Sequence, residues 1–98
     1  MAHYCVHRLS DGSYVLDCQS ELLDHLTTRF VVPLVPVDLA GTAMAVLNPR
    51  FEIDGAQYQM MTQFSGAISV RQLGKVAASL ADHKYAILRA LDMLMTGY

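Results

Sequence analysis

The sequence predicts a mainly β domain closed by a single C-terminal helix. Three observations carry that expectation. Asp11-Gly12 and Asp54-Gly55 each sit between apolar-rich stretches, a strong short-range signal for a hairpin. Short apolar and alternating runs recur from residue 2 to residue 70, without long helices between them. Residues 82–98 then change to three- and four-residue spacing. A parallel doubly wound sheet is disfavoured, because it needs strands alternating with long helices.

In chain order, residues 2–9 alternate and predict a strand, followed after Asp11-Gly12 by a second at 13–18. Residues 19–28 predict a connecting loop with an apolar knob, Leu22 and Leu23. The run 30–35 is continuously apolar and predicts a strand covered on both faces. Pro33 and Pro36 lack an amide proton, so this strand is expected to be bulged or partly at an edge. Residues 38–47 predict a turn with a brief helix, and Asn48-Pro49 a turn. Residues 50–53 and 56–62 flank the second Asp-Gly, and residues 67–70 predict a further strand. Residues 72–81 predict weak helix feeding the terminal one, with Ser79 or Asp82 as its N-cap.

The terminal helix is apolar on almost every side. Ile87, Leu91, Leu94 and Tyr98 make one stripe, widened by Leu88 and Met95. Lys84, Arg89 and Asp92 are its main charged interruptions. A chain of 98 residues is one domain, spanning 1–98, and is too short to wrap such a helix completely. Another subunit or a partner protein is therefore expected on it. The hydrophobic fraction of 53% and charged fraction of 16% argue against disorder and for an oligomer.

Net charge of −2, with seven scattered Lys and Arg, gives no footprint for direct nucleic-acid binding. No targeting segment and no membrane span are legible, so a cytoplasmic protein is expected. Two cysteines do not make a disulfide scaffold. A two-residue turn at Asp11-Gly12 would set Cys5 opposite Cys18, with His3 and His7 on the same strand face. A cross-strand disulfide or a metal site is conceivable there. Buried, reduced thiols among Leu9, Tyr14 and Leu16 are the preferred reading, with no metal and no cofactor.

Residues 15–24 (Val-Leu-Asp-Cys-Gln-Ser-Glu-Leu-Leu-Asp), 29–34 (Arg-Phe-Val-Val-Pro-Leu), Leu47-Asn48-Pro49, residues 58–62 (Tyr-Gln-Met-Met-Thr), Gly74 and the helix ending in Gly97 form a set of segments. Together they resemble the CcdB family of toxins. Their order and spacing carry the likeness, since none is decisive alone. The resemblance implies a homodimer built on an SH3-like barrel, a small extra antiparallel sheet and a long C-terminal helix at the two-fold axis. Ile87, Leu91, Leu94 and Met95 would then form the dimer interface. It also implies the toxin half of a toxin–antitoxin module. Such a toxin binds the A subunit of DNA gyrase, traps the cleaved-DNA state, and is neutralised by a CcdA-like antitoxin. No toxin chemistry is required.

Carried over position by position, the gyrase-binding residues would be Ser20, Leu22 and Leu23 in the loop. On the helix they would be Asp92, Met95, Thr96, Gly97 and Tyr98. The sequence departs from the family at this end, where Thr96-Gly97-Tyr98 stands in place of Trp-Gly-Ile. A buried indole is a common hot spot, worth about 2 kcal/mol or more. Threonine offers a fraction of that area, and Asp92 replaces an amide with a carboxylate that is costly to desolvate.

Enzyme readings are weaker. Asp82 with His83, or Asp24 with His25, are sequence neighbours that rarely face one another. Ser20 and Ser79 lack a nucleophile motif. The alternative from another class is a MazF-like, metal-independent endoribonuclease, which needs Arg29, Arg50 and Arg71 to converge. A degenerate toxin that keeps the fold but has lost gyrase is the third reading.

Overall fold

The computed structural model describes residues 3–97. Seven antiparallel strands form one sheet: β1 (Cys5–Arg8), β2 (Tyr14–Asp17), β3 (Thr28–Pro36), β4 (Arg50–Ile53), β5 (Ala56–Met60), β6 (Gly66–Ser69) and β7 (Val76–Ser79). Their order is β4-β5-β3-β2-β1-β7, and β6 pairs with the first half of β3. The sheet curls into a half-barrel. A single helical turn, α1 (Val37–Ala40), follows β3, and the helix α2 (Lys84–Thr96) closes the chain. This is the mainly β domain with one terminal helix expected from the sequence.

The long central strand exists because its neighbours divide it. Residues 28–31 pair with β6 and residues 34–36 with β5, while β2 runs along the other side. Pro33 lies where the partner changes. Its carbonyl accepts from the Met61 amide at 2.9 Å, so its nitrogen faces the same side, between the ends of β6 and β5. No ladder donor is wanted there. The prolines therefore do not make this an edge strand, contrary to expectation.

The two Asp-Gly turns fold differently. Asp54 and Gly55 both take positive φ, 53° and 80°, and join Ile53 to Ala56 by the expected two-residue loop. At the first hairpin the loop has three residues. Leu9 N donates to Ser13 O at 2.8 Å, Gly12 N to Leu9 O at 2.9 Å, and Gly12 adopts φ 87°. Val6 accordingly opposes Leu16. A one-residue slip sends every side chain to the other face. Cys18 packs against the core with Tyr14 and Leu16, and Cys5 takes the opposite face. The foreseen Cys5–Cys18 pair does not form. Among the described residues no His, Cys, Asp or Glu trio converges as a metal site.

A second correction concerns residues 72–81. Weak helix was expected there, yet Val76–Ser79 is strand β7 and pairs with β1. Sheet pairing overrides the weak local preference of such a short segment. Ser79 Oγ accepts from the Ala81 amide at 3.3 Å, but only a 3-10 turn (Ala81–His83) starts there. The α-helix proper begins at Lys84, two residues later than residue 82.

The main core unites Tyr4, Val6, Tyr14, Leu16, Val32 and Leu34 with Phe51, Ile53, Met60 and Leu80. Ile87 and Ala90 of α2 lock into it. Gly74 sets how closely the segment before β7 can approach β1. Its amide donates to the Arg8 carbonyl at 2.8 Å, and a Cβ would collide with that carbonyl. The carbonyl of Gly74 lies 3.1 Å from His7 Nδ1. Gly74→Ala is expected to lose roughly 1–3 kcal/mol of stability, because the strand must move and both contacts stretch. A urea midpoint unchanged from wild type would contradict this.

Candidate functional site

Two elements that the sequence had singled out carry exposed apolar residues; Leu39, Met44 and Val76 are exposed elsewhere. In the loop after β2, a 3-10 turn (Glu21–Leu23) is capped by Ser20, whose Oγ accepts from the Leu22 amide at 3.2 Å. This short turn lifts Leu22 into solvent at 88% exposure, with Leu23 at 44%. The knob is therefore outward, not tucked. Leu26 is also exposed.

The second element is α2. Ile87 and Ala90 face inward, Leu91 leans on the core, and Tyr85, Leu88, Leu94 and Met95 remain exposed. Ile87 was expected in the dimer seam, and this assignment is corrected: at 0% exposure within its own chain it has no surface to offer a partner. The helix turns its inner stripe to its own sheet first. What is left for another molecule is the stripe of Tyr85, Leu88 and Met95, flanked by Leu94. Phe64, 67% exposed in the 3-10 turn (Thr62–Phe64) against which α2 packs, extends this apolar surface. Phe64 was not legible as a surface residue beyond its place beside Ser65-Gly66.

At the helix end, Met95 is 77% exposed and Asp92 is exposed. Thr96 Oγ1 donates back to the Asp92 carbonyl at 2.7 Å, so its hydroxyl is committed to its own helix. Gly97 takes φ 83° and donates its amide to the Met93 carbonyl at 3.0 Å, an αL helix stop. Tyr98 lies outside the described residues. The loop and the helix end do not pack extensively on each other within one chain.

Beneath the loop lies a polar group inside the sheet. Asp17 is fully buried, and its carboxylate accepts from the Gln19 amide at 3.0 Å. Arg29, also buried, places Nε 3.9 Å from Asp17 Oδ2 and a terminal nitrogen 3.8 Å from Asp24 Oδ1. That nitrogen donates to the Asp24 carbonyl at 3.0 Å. Burial raises the Asp17 carboxyl above its ordinary 3.8, against the Gln19 amide and the Arg29 charge, which lower it. Burial also pushes the Cys18 thiol up to about 12, with the charge of Asp17 adding to it. A nucleophilic role for Cys18 is thereby disfavoured.

A carboxyl raised in the fold binds its proton more tightly folded than unfolded. Its contribution to stability is full below pH 3.8 and is lost as pH rises through the raised value. Asp17→Asn removes that loss, so the stability of the variant relative to wild type should rise with pH across this window. Urea midpoints between about pH 3.5 and 7 measure it. A relative stability that falls with pH would show that the Arg29 attraction outweighs burial.

Two of the three arginines a ribonuclease groove would need, Arg29 and Arg50, stand apart. Arg29 is buried and committed to Asp17 and Asp24. Arg50 donates to Gln59 Oε1 at 3.1 Å on β4, which β5 separates from β3. The arrangement offers apolar contact surface.

The family model described as CcdB protein matches residues 3–97. The chain belongs to the CcdB family. Membership places this CcdB-family protein among the toxins of toxin–antitoxin modules. Among its described residues no helix is long and apolar enough to cross a membrane.

Proposed function

We propose that the protein is a homodimeric toxin that binds the gyrase A subunit, traps the cleaved-DNA state, and is removed by a CcdA-like antitoxin. The observation that carries this is the outward display of Leu22 and Met95 on the two elements the family uses for contact. Apolar groups this exposed need a partner surface to become productive. Binding that favours one enzyme state shifts the population towards it without any reaction on the toxin. The dimer seam is then drawn from Leu91, Leu94 and Met95 of α2, with Ile87 excluded. The gyrase surface comprises Ser20, Leu22, Leu23, Asp92, Met95, Thr96, Gly97 and Tyr98.

A second reading rests on Thr96. With its hydroxyl folded onto the Asp92 carbonyl, only a methyl group is left where the family has an indole. A toxin that keeps its antitoxin and has lost gyrase would look this way. One experiment separates the two. Purified protein, gyrase, ATP and supercoiled DNA should yield trapped double-strand breaks. Their absence, with an antitoxin peptide still bound, would replace the first reading by the second. RNA cut by the protein alone would overturn both.

A further inference from the structure

The loop that carries Leu22 has little packing of its own, yet it takes a defined shape. Its side chains at 22–28 are exposed, and no apolar core lies within it. What ties it down is polar. Gln19, at its start, makes three hydrogen bonds across its neck. Gln19 Nε2 donates to the carbonyls of Leu23 and Thr28, each at 3.1 Å, and Gln19 Oε1 accepts from the Phe30 amide at 3.0 Å. Arg29, at the far end, donates to the Asp24 carbonyl and pairs with its carboxylate. Both residues meet at Asp17, whose carboxylate accepts from the Gln19 backbone N–H and faces the Arg29 guanidinium.

We propose that Gln19 and Arg29 are positioning residues that hold the loop in the shape presenting Leu22 to the partner, with buried Asp17 as their shared anchor. This rests on the reading that the loop contacts gyrase. An amide at position 19 suits the task because it carries donors and an acceptor on one planar head. The donors meet two loop carbonyls while the acceptor meets a strand amide. Arg29 serves because its fork reaches a carbonyl and two carboxylates at once. A knob held still before binding loses less entropy on docking than one that must be ordered.

Gln19 is the position to test, since replacing it leaves the buried charges of Asp17 and Arg29 in place. Gln19→Ala removes all three side-chain bonds. Gln19→Glu keeps the size and the acceptor but turns an oxygen towards two carbonyls. Amide hydrogen exchange of Leu23, Asp24 and Leu26 should accelerate about tenfold in both variants, while Leu16 and Val32 exchange as in wild type. Binding to the dimerisation domain of gyrase A should weaken roughly tenfold, through faster dissociation. Leu22→Ala should weaken binding with no change in exchange. Loop exchange unaffected by Gln19→Ala overturns the proposal. So does faster exchange with unaltered binding, provided Leu22→Ala does weaken it. If Leu22→Ala binds as wild type does, the partner-contact reading fails, and the exchange data alone decide whether Gln19 and Arg29 hold the loop.

Discussion

Ile87→Ala is expected to remove about 2–5 kcal/mol of folding stability, the largest single-residue loss along α2. Ile87 is wholly enclosed where α2 meets the sheet, in the cluster that contains Val6, Leu16, Phe51, Ile53 and Leu80. Truncation removes three carbons from this contact. The curled sheet cannot collapse onto the gap without pulling on β1 and β4, so a cavity term adds to the lost transfer energy. For a domain of this size the melting temperature should fall by roughly 10 °C or more. Tyr85→Ala is the control. Tyr85 retains 76% of its surface in the single chain and lies outside the proposed seam, so the fold loses little on truncation. Denaturant unfolding of both variants checks the pair of expectations. A loss under about 1 kcal/mol for Ile87→Ala would return this residue to the helix surface.

The second large effect is functional. Met95→Asp should abolish gyrase-dependent DNA breakage while the single-chain fold stays intact, and light scattering must show the dimer retained, because Met95 also belongs to the proposed seam. Met95 is among the most exposed apolar residues of the helix, so its replacement disturbs no core. A carboxylate there would join that of Asp92 three residues away on the same face. An interface closing over both must desolvate two like charges, a cost of several kcal/mol unless each is paired. Gly97→Arg also strikes this end, but it is a less clean test. Gly97 sits at φ 83°, and a side chain there strains the helix stop by about 1 kcal/mol. Full potency in Met95→Asp would remove the helix end from the gyrase surface.

Residues 54–55 and 10–12 show how far local chemistry reaches. Both Asp-Gly pairs were legible as turns, because glycine at positive φ is a property of a few neighbouring atoms. Loop length was not. One extra residue at the first hairpin reversed the face of Cys5, and no feature of residues 9–13 read by themselves announced it. The strand β7 was hidden for a related reason: a four-residue Val-Ala-Ala-Ser segment has little preference of its own and takes the state that the open side of β1 imposes. In the candidate site, Leu22, Leu23 and Met95 were nameable from the resemblance. Gln19 and Arg29 lie within the matching segments, but their bonds across the loop were invisible, since they join residues up to eleven apart through side-chain geometry.

By itself the sequence determined the mainly β class, the position of most strands, the terminal helix and the family. The first three follow from short-range periodicity and turn chemistry, which act along the chain; the family follows from the likeness of the matching segments. Tertiary structure alone decided which side of α2 lies inside. Apolar residues ringed the helix, so periodicity could not rank them, and only contact with a sheet of definite curvature chose Ile87 and Ala90 for the core. It likewise left Tyr85, Leu88 and Met95 outside, because one small domain has no surface remaining to cover them.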